Sequence, residues 1–205
     1  MFSLMSGLIS QYFQKKEIKV LMLGVDHSGK TTLLERIKFL HKQNKEEGAE
    51  TRLQLQMHKI TSTVGLNIAR FEVKNTKVIV WDLGGANSLR SIWDKYYPDC
   101  HGLIWVIDSA QPERFAEGRG TLEAVLRQPD MQDVPVLVLA NKCDLSGSIP
   151  LEHIREHVLP LESDVLRDRQ VRVLAISAMD GKGVAEAIHP FLEWIARNPR
   201  QTEGS

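Results

Sequence analysis

The chain has 205 residues, and its 26 lysines and arginines balance its 26 aspartates and glutamates, so the formal net charge is zero. This length suits one domain with a sizeable core, and the balanced charge provides no global basic field for binding nucleic acid. The two cysteines, Cys100 and Cys143, are too few for a disulfide framework and favour a reducing, cytosol-facing location. No stretch approaches the roughly 20 apolar residues of a membrane span.

The amino-terminal residues 1–16 have apolar side chains at helical spacing, with Phe2, Met5, Ile9 and Phe13 in one stripe. The spacing predicts an amphipathic helix that is too short to span a bilayer and suits a membrane surface. The same stripe would also suit packing against the domain. Because residue 2 is Phe, the glycine that N-myristoylation requires is absent.

Strands and helices alternate through residues 17–197. The predicted strands are Ile18–Leu23, Ile68–Val73, Lys77–Asp82, Gly102–Asp108, Val134–Ala140 and Val171–Ile176. The predicted helices are Lys30–His41, Ser88–Tyr97, Pro112–Gln128, Leu151–Leu159 and Val184–Arg197. Asn75-Thr76 predicts a hairpin turn, so one strand pair is antiparallel. The pattern indicates an α/β domain with a six-stranded, mainly parallel sheet and helices on both faces. Residues 41–59 are expected to be an insertion, by default a solvated loop or a helix extension, with a partner contact as the alternative. Residues 198–205 are expected to be a flexible tail.

The segment Gly24-Val-Asp-His-Ser-Gly-Lys-Thr31 matches the phosphate-binding loop and lies in the required context, between a predicted strand and a predicted helix. Its glycines let backbone N–H groups point at phosphate oxygens. Lys30 would bridge the β- and γ-phosphates, and the Thr31 hydroxyl would hold Mg²⁺. The His27 side chain is expected to face solvent, because the backbone binds there. The nucleotide-binding residues predicted in this segment are Gly24, Asp26, His27, Ser28, Gly29, Lys30, Thr31 and Thr32.

The segment Asn141-Lys-Cys-Asp144 follows the apolar run Val134–Ala140. Asp144 can accept two hydrogen bonds from guanine N1 and N2, which adenine cannot supply, and Lys142 belongs to the same motif. Either motif alone is a weak signal. Together, each at the carboxyl end of a predicted strand, they predict GTP or GDP with Mg²⁺ as the ligand, and they disfavour an ATP-dependent kinase.

Two further segments, Thr63-Val-Gly-Leu-Asn67 and Trp81-Asp-Leu-Gly-Gly-Ala86, carry a resemblance to the ADP-ribosylation-factor (Arf) family of small P-loop GTPases. The similarity is greatest to the Arf-related protein subgroup, through Trp93-Asp-Lys-Tyr-Tyr97, Cys100-His-Gly102 and Val134-Pro-Val-Leu-Val-Leu-Ala-Asn-Lys142. It extends over nearly the whole chain and includes all the nucleotide-contacting motifs.

The resemblance implies roles for five further residues. Thr63 would be the switch I threonine that ligates Mg²⁺ when the γ-phosphate is present, and Asp82 would hold Mg²⁺ through a water. The Gly85 N–H would bind the γ-phosphate. Ser177 and Ala178 would line the base, with the Ala178 N–H on the guanine carbonyl oxygen. Contacts with the γ-phosphate would order two loops, and hydrolysis would release them.

Position 86 departs from the family pattern. The family has a glutamine there that orients the attacking water, whereas this chain has Ala86, whose methyl group cannot do so. Asn87 is one residue out of register and one methylene shorter. Loss of one polar transition-state contact commonly costs on the order of 10²–10³ in rate. The sequence therefore predicts intact GTP binding with weak hydrolysis, and a catalytic set of Lys30, Thr63, Gly85 and position 86.

The resemblance implies that the chain is a GTP-regulated switch that controls Golgi vesicle traffic. It also implies a cytoplasmic protein that binds peripherally to Golgi membranes. Expected partners are an exchange factor, a GTPase-activating protein that supplies an arginine, a Golgi membrane receptor, and effectors that contact Leu66, Trp81 and Tyr96. Two alternatives stay open: a GTP-bound scaffold without useful turnover, and a coat-recruiting GTPase of the Sar type.

Overall fold

The computed structural model describes residues 16–42, 48–159 and 163–200. The predicted amino-terminal helix lies outside the described residues except for Lys16, as does the tail beyond residue 200. The strands are β1 (Lys16–Leu23), β2 (Leu66–Val73), β3 (Thr76–Leu83), β4 (Gly102–Asp108), β5 (Val136–Asn141) and β6 (Val171–Ala175). The α-helices are α1 (Lys30–Leu40), α2 (Ala49–Met57), α3 (Phe115–Leu126), α4 (Leu151–Val158) and α5 (Val184–Arg197). Short 3-10 helices cover Asn87–Tyr96, Pro112–Arg114, Pro129–Met131 and Asp164–Leu166.

The six strands form one sheet in the order β2-β3-β1-β4-β5-β6. The β2–β3 hairpin is antiparallel, with Val73 opposite Thr76, and the other pairs are parallel. The predicted α/β class and the mainly parallel six-stranded sheet are confirmed. The carboxyl ends of the parallel strands share one edge, which is where ligands of such sheets bind.

Two apolar layers cover the faces of the sheet. Alternation along β1 sends Leu21 and Leu23 into one layer and Val20 and Met22 into the other. The first layer packs against α3 and α4, and the second packs against α1 and α5. Helices therefore lie on both faces, as the sequence predicts. Within the described residues, no helix is both long and apolar enough to cross a bilayer.

Three local features differ from the sequence predictions. The predicted helix 88–97 is a 3-10 helix, which begins with the Leu89 N–H donating to the Ala86 carbonyl at 2.8 Å. The predicted helix from Pro112 begins with a 3-10 turn that leads into α3. The insertion contains a separate helix, α2, because Leu53 and Met57 lie four residues apart on one face and are buried together.

Candidate functional site

A cavity of about 310 Å³ opens beside the loops that follow β1 and β3. Its walls bring together most of the predicted phosphate-loop residues with Thr63, Gly85, Ala86 and Lys142. The lining residues are Asp26, His27, Gly29, Lys30, Thr31, Thr32, Ile60, Thr61, Ser62, Thr63, Gly85, Ala86, Lys142 and Met179. Sequence reasoning missed Ile60, Thr61, Ser62 and Met179, and the only signal for them is that they adjoin Thr63 and Ala178 in the chain.

Lys30 is the cation of the phosphate loop, and only 5% of its surface is exposed. Its Nζ donates to the carbonyls of Gly24 (3.0 Å) and Val25 (2.8 Å). Burial lowers the pKa of Lys30 to about 8, although the charges of Asp82 and Asp26 oppose this shift. A buried ammonium without a full counter-charge is costly, so a phosphate in the cavity would stabilise it.

Gly29, which precedes α1, must be glycine for two reasons. Its φ of +89° lies in the left-handed region, and a Cβ there would lie 2.3 Å from Asn141 Nδ2. The close approach brings the phosphate loop against the Asn141 motif. The two sequence motifs thus form one site.

Three oxygen-bearing side chains meet at the deep end of the phosphate loop. The Thr31 hydroxyl donates to Asp82 Oδ2 at 2.8 Å and lies 2.5 Å from the Thr63 hydroxyl. Asp82 is fully buried, and its Oδ1 has no hydrogen-bond partner among the described residues. Burial raises the pKa of Asp82 to about 6. An unpartnered carboxylate oxygen beside two hydroxyls is the hard oxygen set that Mg²⁺ takes, with waters and phosphates completing its shell. These residues therefore fit Mg²⁺.

The loop after β3 lies directly against the phosphate loop. A Cβ on Gly85 would lie 2.4 Å from the Gly24 carbonyl and 2.6 Å from the Asp26 nitrogen. Only glycine permits this approach. Ala86 follows in the cavity wall, whereas Asn87 is exposed. The cavity wall at position 86 therefore has no polar side-chain group.

A charged network joins the phosphate loop to the 3-10 helix that follows Ala86. Arg114 donates to the Asp26 carbonyl (2.8 Å) and carboxylate (2.5 Å), and to Glu117 at 2.8 Å. Glu117 also accepts from Arg90, whose Nε donates to the Gly85 carbonyl at 3.0 Å. The hydrogen bond from Arg114 holds the pKa of Asp26 below its usual value. No motif marks Arg114, and the sequence analysis did not find it.

Asn141 connects three loops on the base side of the site. It is buried, its Nδ2 donates to the Ser28 carbonyl at 2.9 Å, and its Oδ1 accepts from the Ala178 N–H at 2.9 Å. The Ala178 N–H is therefore engaged within the protein, and its contact with a guanine carbonyl stays a prediction. Ser177 is fully buried, and its hydroxyl accepts from the Asp180 N–H at 3.2 Å.

The two charged residues of the Asn141 motif are placed differently. Lys142 lines the cavity, and its Nζ forms a 2.6 Å ion pair with Asp108, which no sequence motif singled out. Asp144 is exposed and lies outside the cavity lining. Its hydrogen bonds to guanine stay a prediction.

The profile of the ADP-ribosylation factor family matches residues 5–198. The chain belongs to the Arf family. Human ADP-ribosylation factor-related protein 1 is 41% identical to it over 207 residues, which cover 99% of each chain. ADP-ribosylation factor-like protein 3 of Saccharomyces cerevisiae is 37% identical and covers 98% of this chain and 96% of its own length. A solved structure of the Arl6 BBS3 small GTPase from Trypanosoma brucei, with bound nucleotide analogue GppNp, superposes with a TM-score of 0.73. That chain is 28% identical and covers 89% of this chain and 99% of its own.

This Arf-family protein is a GTP-binding small GTPase and a molecular switch. The family resemblance drawn from Thr63–Asn67 and Trp81–Ala86 is confirmed. Members of the family bind guanine nucleotide with Mg²⁺, and the donor set around Asp82 is suited to that ion.

Proposed function

We propose that this Arf-family switch holds GTP and Mg²⁺ in the cavity, hydrolyses GTP slowly, and controls Golgi vesicle traffic through GTP-dependent recruitment of effectors. The observation that carries the slow turnover is Ala86 in the cavity wall. A methyl group has neither the donor nor the acceptor that orients a water for attack on the γ-phosphate.

The neighbouring Asn87 does not replace the missing amide. Its side chain is exposed, while the backbone of Ala86 is committed to the first hydrogen bond of the 3-10 helix. The expected loss in hydrolysis rate is on the order of 10²–10³.

In this proposal the missing glutamine slows hydrolysis, whereas the residues that bind phosphate and Mg²⁺ are all present. Lys30 and the Gly85 N–H would stabilise phosphate oxygens, and Thr31, Thr63 and Asp82 would hold Mg²⁺. When bound, Mg²⁺ supplies charge stabilisation to the phosphates. None of these residues departs from the family pattern, so GTP affinity is expected to be retained.

Asn141, Lys142 and Asp144 would select guanine, and Ser177 and Ala178 would line the base. The Asn141 side chain holds this part of the site together, because it donates to the Ser28 carbonyl of the phosphate loop and accepts from the Ala178 N–H. Exchange of one base for another is thus expected to change affinity without moving the phosphate site.

Leu66, Trp81 and Tyr96 form the proposed effector surface. Leu66 is 37% exposed, and the Trp81 and Tyr96 rings pack edge to face with centroids 5.1 Å apart. Trp81 lies on β3 and Tyr96 on the 3-10 helix 87–96, and half-buried aromatic side chains of this kind are typical anchors for a partner. An exchange factor, a GTPase-activating protein and a Golgi membrane receptor would complete the cycle, with the amino-terminal residues 1–16 at the membrane surface.

Single-turnover phosphate release from GTP-loaded protein tests the role of position 86. We would compare the chain with Ala86→Gln, each with and without an Arf-directed activating domain, and use Asn87→Gln as the matched control. The proposal expects Ala86→Gln alone to gain hydrolysis with the activating domain.

Two results would contradict the proposal. If the chain and Ala86→Gln hydrolyse equally fast, a glutamine at position 86 is not what orients the water. If both are inert while GTP stays bound, the missing glutamine is not the cause, and the alternative of a GTP-bound scaffold is supported.

A further inference from the structure

Arg36 is a buried cation in the middle of α1, with 3% of its side chain exposed. Its Nε donates to the Ala178 carbonyl at 3.1 Å, and its Nη2 donates to the Met179 carbonyl. On its other side, Nη1 donates to the Glu50 carboxylate of α2. Arginine is rarely buried unless it is fully paired. One guanidinium therefore joins α1, the loop after β6, and α2.

The loop held by Arg36 borders the nucleotide cavity. Met179 lines the cavity, and the Ala178 N–H donates to Asn141. A Cβ on Gly181 would lie 3.5 Å from the Arg36 side chain, so the loop packs around the guanidinium. The position of these backbone groups therefore depends on where the Arg36 side chain lies.

The helix on the other side of Arg36 also borders the cavity. Of its residues only Leu53 and Met57 are buried, so α2 has a small apolar contact with the domain. The chain makes a further turn after α2 ends, in which the Ile60 N–H donates to the Met57 carbonyl at 3.1 Å. Ile60 lines the cavity. With so little apolar packing, the contacts of Arg36 with Glu50 and with the Met57 sulfur contribute to holding α2 in place.

We propose that Arg36 and Glu50 form a latch, in which docking of α2 on Arg36 slows release of the bound guanine nucleotide. Glu50 keeps the guanidinium beside the Ala178 and Met179 carbonyls. Without Glu50 the buried charge lacks one partner, and Arg36 turns toward solvent and frees the loop. Arg36 is thus a positioning residue on the base side, and Glu50, 48% exposed, is the point at which a partner protein could open the latch.

The inference rests on nucleotide binding in the cavity described above, and the release rate of N-methylanthraniloyl-GDP tests it. The variants are Glu50→Gln, Arg36→Met and the double variant. The control is Lys38→Met, which removes a 2.6 Å ion pair with Glu35 elsewhere on α1. Because the Glu50 carboxylate is half exposed and its ion pair is partly screened by solvent, Glu50→Gln should release nucleotide roughly two- to fivefold faster.

Three further results are expected. The double variant should release nucleotide no faster than Arg36→Met, because the two residues act through one contact. Lys38→Met should release at the rate of the unchanged chain. The increase in the release rate caused by Glu50→Gln should persist in EDTA, because the latch holds the base-side loop and not the Mg²⁺ ligands.

Release by Glu50→Gln at the unchanged rate, with only a lower melting temperature, would show that the contact is merely structural and overturn the latch. A factor that vanishes in EDTA would overturn the assignment to the base-side loop. If the unchanged chain retains no labelled GDP, the proposed nucleotide site itself is wrong. That outcome can be distinguished from failure of the latch alone, in which the unchanged chain retains labelled GDP and Glu50→Gln releases it equally slowly.

Discussion

Asn141 links the phosphate loop to the base-side loop, and we expect Asn141→Ala to destabilise the fold as well as weaken nucleotide binding. The substitution leaves the Ser28 carbonyl and the Ala178 N–H without their 2.9 Å partners. Both residues are buried, with 0% and 2% of their surfaces exposed. An unpaired buried polar group costs about 1–3 kcal/mol, so the two together should lower the free energy of unfolding by about 2–6 kcal/mol.

Urea unfolding of nucleotide-free protein measures this loss. The matched control is Asn198→Ala, which removes an exposed amide whose Nδ2 donates to the Trp194 carbonyl at 2.9 Å. The control should change the free energy of unfolding by less than about 0.5 kcal/mol. If Asn141→Ala loses nucleotide affinity but unfolds with an unchanged free energy, the bridging argument is refuted, and Asn141 acts through guanine alone.

Three other predictions concern the metal, the phosphate cation and the 3-10 helix. Because burial raises the pKa of Asp82 to about 6, protons should compete with Mg²⁺ below that pH, and the Mg²⁺ concentration that half-maximally slows GDP release should increase as the pH falls. Because burial lowers the pKa of Lys30 to about 8, the empty site loses its cation as the pH rises, and calorimetric GDP affinity should fall between about pH 7 and pH 9. Trp93→Phe removes the 3.1 Å hydrogen bond from Trp93 Nε1 to the Gly84 carbonyl and also part of a buried ring, so it should lower the free energy of unfolding by about 1–3 kcal/mol in thermal unfolding.

Asp82→Asn and Lys30→Arg are the controls for the two pH predictions. Asp82→Asn should abolish the pH dependence of the Mg²⁺ effect, and a dependence that survives this substitution would assign it to another group. Lys30→Arg keeps its charge through this range, so an equal loss of affinity in that variant would exclude Lys30 as the titrating group. An unchanged melting temperature for Trp93→Phe would contradict a stabilising role for this hydrogen bond and for the packing of the ring.

The sequence predicts the sheet well because its apolar runs fit few structures other than buried strands. β4 is buried along its whole length, and a run of apolar residues of that length beside turn signals indicates an internal strand. The prediction was less complete for α2, because only Leu53 and Met57 contact the domain and the polar run before them conceals that short pattern. The helix type of residues 87–96 depends on contacts such as that of Trp93 with Gly84, which periodicity does not report.

The residues of the site also differ in how well the sequence predicts them. Phosphate-loop residues are predictable because a local backbone conformation forms the binding groups. Arg36 and Arg114 are not, because their contacts with Ala178 and Asp26 join residues 142 and 88 positions apart in the chain. In the sequence, each is only an arginine in a predicted helix, because its carbonyl or carboxylate partner comes near it only in the folded protein. Asn141 is intermediate, since its motif is recognisable but its bridge to Ser28 is not.

The electrostatics of the cavity explain why a change at position 86 can separate binding from hydrolysis. Lys30 and Asp82 are both buried, and burial shifts the pKa of each toward its neutral form. Phosphate beside Lys30 and Mg²⁺ beside Asp82 would each favour the charged form again, so ligand binding relieves a cost that the empty fold carries. Ala86 is uncharged and contributes nothing to that balance. A glutamine there would also be uncharged, so we expect the affinity for GTP and Mg²⁺ to depend on Lys30 and Asp82 and to be similar with either residue at position 86.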